Sequence, residues 1–322
     1  MIFYLNFSII KFVISKLRLI FLFYSKMNYF PIKYDEPLFR PPSEANSLIL
    51  QVTFGCTWNK CSFCEMYTSK NFRAKEEEEV LREINGVAQL QPDIRKVFLA
   101  DGNPMALSTK RLLKILLAIK EAFPKVRSIS TYSLPSNLIS KSAEELKELK
   151  EAGLKLVYVG IESGDDEVLK MINKGETFAS TAEGLLKAKE AGIKLSVIIL
   201  NGVAGNNYSK QHAINSARLL NLIQPEFASV LVLSFPFGIE RYKQKFNGEY
   251  VPMTIPELLL EMKKFISTTE LASTIFRSNH ASNYLVLSGI LGRDKSQFLE
   301  HINFAINNPK IARLRAEWQR GL

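Results

Sequence analysis

Apolar segments alternate with amphipathic segments from Ser47 to Phe235, and this alternation limits the fold more than any other feature of the sequence. The apolar segments predict strands at 48–53, 96–100, 128–133, 156–161, 195–200 and 228–235. Helices are predicted between and after them at 75–90, 109–123, 142–152, 165–173, 180–191 and 210–223. Strands that alternate with helices in this way form βαβ units around a parallel sheet.

Six such units predict an α/β protein with a partial TIM-like (β/α)6 barrel, and they suit it better than an open doubly wound sheet. We predict that residues 1–46 are an N-terminal extension and irregular lead-in, and that residues 47–240 form the barrel. Residues 241–322 are predicted to be a C-terminal extension that closes or covers it. That extension contains two further helical patterns, near Pro256–Ser267 and Asp294–Asn307.

The overall charge is basic, but part of it is concentrated at the start of the chain. The 322 residues carry a net charge of +10 and have a pI near 9.3, which suits anionic partners such as nucleic acid or a membrane surface. Residues 1–26 contribute four of these charges and no acid (Lys11, Lys16, Arg18 and Lys26). The remainder is only slightly basic, so a nucleic-acid partner stays open and is not favoured.

Residues 1–26 differ in composition from the rest of the chain. Their charges interrupt every apolar run before it reaches the roughly 20 residues that span a bilayer. Ser8, Lys11, Ser15 and Arg18 recur at helical spacing, which is typical of a helix lying on a membrane surface. The alternative is that these residues are not native and that the protein starts at Met27. Since no small-residue cleavage site follows, we expect a cytoplasmic protein.

All three cysteines of the chain lie within nine residues, at Cys56, Cys61 and Cys64. A disulfide framework would leave one of them unpaired, whereas three thiolates from one loop suit a soft metal centre. Three is one ligand short of a closed zinc site or a fully protein-ligated iron–sulfur cluster. The alternative is a non-enzymatic binding protein, for RNA among other partners, stabilised by zinc or iron–sulfur, with His280 or an acid such as Glu65 as fourth ligand.

Polar motifs follow the other predicted strands, where the chemistry of βα barrels gathers. The second strand ends in Ala100-Asp-Gly-Asn-Pro104, and the third ends at Ser133, two residues before Pro135. The fourth ends in Gly160-Ile-Glu-Ser-Gly164, and a helical segment then leads to Lys174 and Gly175. We expect these segments to meet the cysteine loop at one end of the barrel.

These motifs resemble those of the radical S-adenosylmethionine enzymes. The usual family motif is Cys-x3-Cys-x2-Cys with an aromatic residue before the last cysteine. Here the first gap is four residues long, the second gap matches, and Phe63 stands at the aromatic position. Residues 160–175 look like the family's strand-four signature, and Asp101-Gly-Asn103 resembles its Gly-Gly-Glu element with Asp101 in place of the first glycine. The resemblance covers roughly residues 48–240.

The resemblance implies an enzyme that binds a 4Fe–4S cluster through Cys56, Cys61 and Cys64 and coordinates S-adenosylmethionine (SAM) on the fourth iron. Reductive cleavage would give a 5′-deoxyadenosyl radical that abstracts hydrogen from a substrate, which the sequence does not identify. The resemblance implies that SAM is contacted by the residues at the positions that match these family motifs: Phe63, Gly102, Asn103, Ser133, Glu162 and Lys174. A flavodoxin or ferredoxin is implied as the electron donor.

A last polar cluster, Phe276-Arg-Ser-Asn-His-Ala-Ser-Asn-Tyr284, follows a short predicted strand near Thr274. We predict that it crosses the barrel mouth and that Arg277 and His280 are the catalytic residues, supported by Asn279 and Asn283. The Arg277 guanidinium suits a substrate carboxylate or phosphate, and His280 suits proton transfer near neutral pH. The alternative is a turn built from polar residues.

Overall fold

The structure, a computed structural model, describes residues 30–235 and 238–320. Its centre is an eight-stranded sheet, flanked by a separate two-stranded ribbon. The main-sheet strands are β1 (Leu48–Gln51), β4 (Lys96–Ala100), β5 (Ser128–Tyr132), β6 (Leu154–Glu162), β7 (Lys194–Asn201), β8 (Phe227–Val232), β9 (Ile275–Arg277) and β10 (Ser288–Ile290). The ribbon pairs β2 (Thr53–Phe54) with β3 (Arg73–Ala74).

Helices connect these strands and follow them. They are α1 (Glu77–Leu90), α2 (Thr109–Ala122), α3 (Pro135–Ile139), α4 (Ala143–Glu151), α5 (Asp166–Met171), α6 (Phe178–Glu190), α7 (Gly205–Ile223), α8 (Ile239–Lys245), α9 (Ile255–Thr268) and α10 (Leu291–Asn307). None of the helices in the described part of the chain is long and apolar enough to cross a membrane. The predicted surface helix of residues 1–26 lies outside the described residues.

The parallel barrel-like sheet is confirmed. The strands are ordered β1-β4-β5-β6-β7-β8-β9-β10, and each neighbouring pair from β1 to β9 is parallel. The sheet ends at β1 and β10, which are not paired with each other, so the barrel is open. The C-terminal extension adds β9 in parallel and β10 antiparallel to it, and α9 packs against α7 and α10.

Alternate side chains of the strands face two different environments. On the convex face, residues such as Leu99, Val157 and Val197 are fully buried beneath the helices and form the main core. On the concave face Phe98 makes edge contacts with Tyr132 and Tyr158, with ring centroids 5.0 and 5.9 Å apart. The period of two along each strand therefore separates a core face from a face that can carry a site.

The irregular lead-in packs against the sheet. The Tyr34 hydroxyl donates to a main-chain carbonyl of β1 at 2.9 Å, and Leu38 packs on the concave aromatic cluster. Glu44 is buried, and its Oε1 accepts hydrogen bonds from the Tyr158 hydroxyl at 2.6 Å and the Ser130 hydroxyl at 2.9 Å. Residues 34–44 thus run from the free edge of β1 onto the concave face.

Several element bounds differ from the sequence prediction for local reasons. The first predicted strand divides at Val52, because Thr53 and Phe54 leave the main sheet to pair with β3. The helix predicted to reach residue 173 ends at Met171, since Asn173 adopts a left-handed φ of 51° that a helix cannot continue. Helices α3 and α8 were not predicted, because both are too short to show a periodic pattern.

Candidate cluster and cofactor site

The three cysteines lie in the loop 55–72, which β2 and β3 close at its base. All three are half-buried and free of disulfides. Burial raises the pKa of the Cys61 thiol to about 12, Lys174 acts in the opposite direction, and Cys64 and Cys56 raise it further. Three neighbouring thiols with a cation beside them favour a site where metal binding displaces the thiol protons.

Neither of the two residues suggested as the fourth ligand of a zinc site lies free beside the thiols. Within residues 30–235 and 238–320, no three His, Cys, Asp or Glu side chains are grouped so that they could hold one metal ion. Neither suggested fourth ligand joins the thiols, because Glu65 pairs with Arg241 at 3.0 Å and His280 Nδ1 is engaged by Ser282 at 2.9 Å. Each cysteine of an iron–sulfur cubane binds a different iron atom, so a cluster suits thiols that do not converge on one point.

Residues 171–175 after α5 hold the cysteine loop in place. The Trp58 indole N–H donates to the carbonyl of Asn173 at 2.7 Å, and the Ser62 amide donates to the carbonyl of Ile172 at 2.9 Å. Gly175 lies so close to the Trp58 ring that a Cβ at this position would be 2.4 Å from a ring carbon and would collide with it. The segment that resembles the strand-four signature is therefore the platform on which the cysteine loop rests.

The end of β4 approaches the same loop. A Cβ on Gly102 would lie 2.7 Å from the carbonyl oxygen of Gly55 and 2.8 Å from the Tyr67 ring, so only glycine permits this contact. The Asn103 amide donates to the hydroxyl of Thr57, directly after Cys56, at 2.5 Å. The two residues proposed from the sequence thus lie against the cysteine loop.

Glu162 and Lys174 form a buried ion pair at the end of β6. Lys174 Nζ lies 3.2 Å from Glu162 Oε1. Burial alone lowers the pKa of Lys174, but the Glu162 carboxylate and the Cys61 and Cys56 sulfurs outweigh it and raise that pKa. Gly160 leaves the space for this carboxylate, since a Cβ there would collide with it. Glu162 has a φ of 67°, a strained value for a non-glycine residue and one that often marks a functional position.

Phe63 and Ser133 lie beside this pair. The Phe63 ring centroid is 5.9 Å from Lys174 Nζ, which brings the aromatic residue of the motif to the cation. Ser133 is buried directly after β5, and its amide donates to the Tyr158 carbonyl at 3.0 Å. Its hydroxyl donates to the carbonyl of Leu134 at 2.9 Å, which leaves its oxygen lone pairs for a ligand.

The C-terminal polar cluster divides into two parts. Arg277 ends β9 on the concave face, with its guanidinium 5.7 Å from the Phe227 ring centroid. His280 instead belongs to a compact turn, where its Nδ1 accepts the Ser282 amide at 3.1 Å. Asn283 is buried and donates to the carbonyl of Val230 at 2.8 Å, while the exposed Asn279 accepts from Arg315 at 3.2 Å through its carbonyl. Arg277 thus lies on the sheet itself, whereas His280, Asn279 and Asn283 belong to the segment that follows β9.

Sequence reasoning missed a buried ion pair beneath the cysteine loop. Lys70 Nζ lies 3.1 Å from Asp101 Oδ2, and it also donates to the carbonyls of Asp35 and, at 2.8 Å, Pro37. The same carboxylate oxygen accepts the Gly55 amide at 3.4 Å. One residue in the sequence did indicate such an ion pair. Asp101 places a charge where the family has a glycine, and a buried carboxylate needs a cation nearby.

Comparisons with known proteins agree with this geometry. Residues 50–219, more than half of the chain, match the family model described as the Radical SAM superfamily. The chain is 27% identical over 180 residues to the heme chaperone HemW of Bacillus subtilis, covering 55% of this chain and 46% of that protein. It is 31% identical over 166 residues to a GTP 3′,8-cyclase of Aquifex aeolicus, covering 49% and 48%.

A longer and weaker match extends over most of the chain. An uncharacterized methyltransferase of Pyrococcus horikoshii is 24% identical over 281 residues, covering 84% of this chain and 58% of the relative. The chain thus spans about half the length of these relatives. Among solved structures, coproporphyrinogen III oxidase (HemN) from Escherichia coli superimposes with a TM-score of 0.52 at 16% identity, covering 76% of this chain and 55% of that one. This likeness concerns the fold alone.

Proposed function

This chain belongs to the radical SAM superfamily, and from that premise we propose that Cys56, Cys61 and Cys64 hold its 4Fe–4S cluster and that Glu162 and Lys174 bind SAM. The protein is a radical SAM enzyme, and such enzymes use a 4Fe–4S cluster and SAM. Reductive cleavage of bound SAM supplies a 5′-deoxyadenosyl radical for hydrogen abstraction. The observation that carries the proposal is the docking of the cysteine loop on residues 171–175, which brings the thiols and the Glu162–Lys174 pair together.

The residues around the thiols fit the two cofactors. Three cysteines leave one iron of a cubane without a protein ligand, where the amino and carboxylate groups of SAM can coordinate. Lys174 interacts electrostatically with the Cys61 and Cys56 sulfurs, so it suits the SAM carboxylate. Gly102 keeps the end of β4 close to the loop, where it and Asn103 are placed to meet the amino group.

Glu162 is suited to hold the ribose of SAM. Its Oε1 is occupied by Lys174, whereas no residue in the described ranges donates a hydrogen bond to its Oε2. A carboxylate can accept two hydrogen bonds from a diol, and Lys174 fixes its orientation. Ser133 and Phe63, which flank the pair, would complete the wall around the cofactor.

The proposal is tested by anaerobic reconstitution with iron and sulfide, followed by dithionite and SAM. We expect about four irons per chain, charge-transfer absorption of a cluster, and release of 5′-deoxyadenosine and methionine. One zinc per chain without cluster absorption would overturn the proposal in favour of the zinc-stabilised binding protein.

Changing either member of the buried pair is expected to weaken SAM binding without removing the cluster. Glu162→Gln or Lys174→Met removes a charge-assisted hydrogen bond to the cofactor, which corresponds to roughly a tenfold to hundredfold loss of affinity. Equilibrium dialysis of the cluster-loaded, unreduced protein measures this directly. The exposed neighbour Lys170→Met is the control, and equal SAM affinity in Lys170→Met and Lys174→Met would contradict the role of Lys174.

On the substrate side we propose that Arg277 and His280 are the catalytic residues, Arg277 by binding the substrate and His280 by transferring a proton. The relatives named above differ in what their names say they act on, so they supply no single substrate. Burial lowers the pKa of His280, and the nearby Arg315 lowers it further, so this imidazole is neutral at pH 7. With Nδ1 engaged in the turn, only Nε2 of His280 is left for proton transfer.

We also propose that a flavodoxin or ferredoxin docks over the cysteine loop. Exposed cations surround it: Lys60 in the loop, Lys170 on α5 and Lys245 on α8. Helix α8 is fixed next to the loop, because Arg241 donates to the carbonyl of Cys64 at 3.4 Å and Asn247 bonds residue 171 at 2.9 Å. Such a surface suits an acidic electron carrier.

Charge reversal in this surface is expected to slow electron delivery by the protein donor. For Lys60→Glu/Lys245→Glu, the ratio of flavodoxin-driven to dithionite-driven 5′-deoxyadenosine formation should fall about tenfold at low salt and recover toward the wild-type ratio at high salt. The matched control is Lys155→Glu/Lys194→Glu. Both lysines lie at the N-terminal ends of their strands, β6 and β7, whereas the Glu162–Lys174 site lies at the C-terminal end of β6. An equal fall in both double variants would exclude the proposed docking surface.

A further inference from the structure

The concave face of the sheet carries a hydroxyl group that has no hydrogen-bond partner within the described part of the chain. Tyr132 and Tyr158 lie in edge contact there, with ring centroids 6.2 Å apart. The Tyr158 hydroxyl is bonded to Glu44 at 2.6 Å and to Ser43 at 2.8 Å. The Tyr132 hydroxyl has no hydrogen bond to any residue of the described ranges. Burial raises the pKa of Tyr132, so this hydroxyl remains a donor at neutral pH.

Arg277, on β9, faces the same concave surface as Tyr132 and Tyr158, and the surface around these two tyrosines is called the wall below. Phe276 is fully buried in the convex core, so its neighbours Ile275 and Arg277 must point to the concave side. Arg277 stands opposite Ser229 of β8, half-buried and next to the Phe227 ring. Burial raises the pKa of Tyr158, and the charge of Arg277 acts in the opposite direction from three strands away.

Arg40 approaches from the lead-in on the other side. It lies between Phe39, whose ring is 5.5 Å from that of Tyr67, and Ser43, which bonds Tyr158. The side chain is exposed, and its charge acts to lower the pKa of Tyr132. Arg40 and Arg277 therefore flank the same tyrosine pair, although 237 positions separate them in the sequence.

Neither guanidinium is neutralised by a carboxylate. Among residues 30–235 and 238–320, neither the Arg40 guanidinium nor the Arg277 guanidinium has a hydrogen bond or an ion pair. The nearby carboxylates have other partners, since Glu44 accepts from Tyr158 and Ser130 and Asp101 Oδ2 pairs with Lys70. Two unpaired arginines beside a free phenol hydroxyl are donors without an acceptor.

We propose that Arg40, Arg277 and the Tyr132 hydroxyl bind an anionic group of the substrate, a phosphate or a carboxylate. This inference rests on the proposed function and adds the substrate class to it. The planar guanidinium presents two parallel N–H donors that match the oxygens of either anion. The wall adjoins the cofactor side of the site, because Ser133 directly follows Tyr132 and bonds the main chain of Tyr158 at 3.0 Å. Since Lys174 is assigned to the SAM carboxylate, the two arginines remain for the substrate.

The test measures anion binding in the absence of turnover. Cluster-loaded protein, saturated with SAM and kept without reductant, is titrated anaerobically by calorimetry with inorganic pyrophosphate in one arm and glutarate in the other. We expect saturable binding of one probe, weakened about tenfold or more by Arg277→Gln and by Arg40→Gln. A tighter pyrophosphate arm would assign a phosphorylated substrate, and a tighter glutarate arm a carboxylate. Arg127→Gln, an exposed arginine just before β5, is the control.

Two results would overturn the inference. One is that neither probe binds wild-type protein, and the other is that binding survives in Arg40→Gln/Arg277→Gln. SAM cleavage by the wild-type preparation is measured in parallel with dithionite. If wild-type protein cleaves SAM and binds neither probe, the anion site fails and the proposed function stands. If it does not cleave SAM, the proposed function itself fails.

Discussion

Replacing Cys61 by alanine should reduce 5′-deoxyadenosine formation by at least about a hundredfold, to the level of protein without iron. A cubane left with two protein thiolates loses a ligand that no neighbouring side chain can replace. Cys61 interacts electrostatically with Lys174, so its loss also changes the surroundings of the proposed SAM carboxylate site. Iron content, cluster absorption and product release measured on one anaerobic preparation check this prediction.

The matched control is Ser62→Ala, next to the cysteine. The Ser62 hydroxyl is buried without a hydrogen-bond partner among the described residues, while its amide holds the loop to residue 172. Removing this hydroxyl should therefore leave the loop and the cluster in place. A Cys61→Ala protein that still formed 5′-deoxyadenosine at the wild-type rate would exclude the cysteine loop as the cluster site.

Lys70→Met should cause the largest loss of folding stability among single changes near the site, about 3–5 kcal/mol. The Asp101 side chain is 0% exposed and that of Lys70 6% exposed, so the substitution leaves a carboxylate buried without its cation. Lys70 also bonds the carbonyls of Asp35 and Pro37, so the lead-in loses its attachment to the cysteine loop. Denaturant unfolding of the reduced, metal-free protein measures the change.

A second variant separates the ion pair from the packing of the lysine stem. Asp101→Asn in the Lys70→Met background removes the buried charge, so most of the lost stability should return. The exposed Lys96→Met, at the start of β4, should change the unfolding free energy by about 0.5 kcal/mol or less. If Lys70→Met were as stable as Lys96→Met, the Lys70–Asp101 ion pair would not contribute to folding stability in the way described above.

The parts of this structure that were predictable from the sequence are those encoded by local pattern. The apolar run of Val97–Ala100 and the cysteine spacing each depend on neighbouring residues, and both the parallel sheet and the superfamily follow from such runs. The capping box at Ser142 and Glu145 likewise fixed the start of α4, where the Glu145 amide donates to Ser142 at 3.1 Å.

The parts that were not predictable depend on contacts between distant residues. Lys70 and Asp101 form an ion pair although 31 residues separate them in the sequence. Arg40 approaches the wall near Tyr158 only because the lead-in packs on the concave face, where Ser43 bonds Tyr158. No periodicity encodes either pair. The sequence likewise suggested His280 as a catalytic group without showing that Ser282 engages its Nδ1.

The docking of the cysteine loop on later parts of the chain has a consequence for biosynthesis. The loop is complete on the ribosome long before its supports, since Arg241 follows Cys64 by 177 residues. At a synthesis rate of 5–20 residues per second this interval lasts roughly 10 to 35 s. Until α8 is synthesised, the three thiols are open to oxidation without the complete shelter that residues 171–175 and α8 provide together. Cluster insertion is therefore expected to follow translation, and oxygen exposure of nascent chains should lower iron content more than equal exposure of the finished protein.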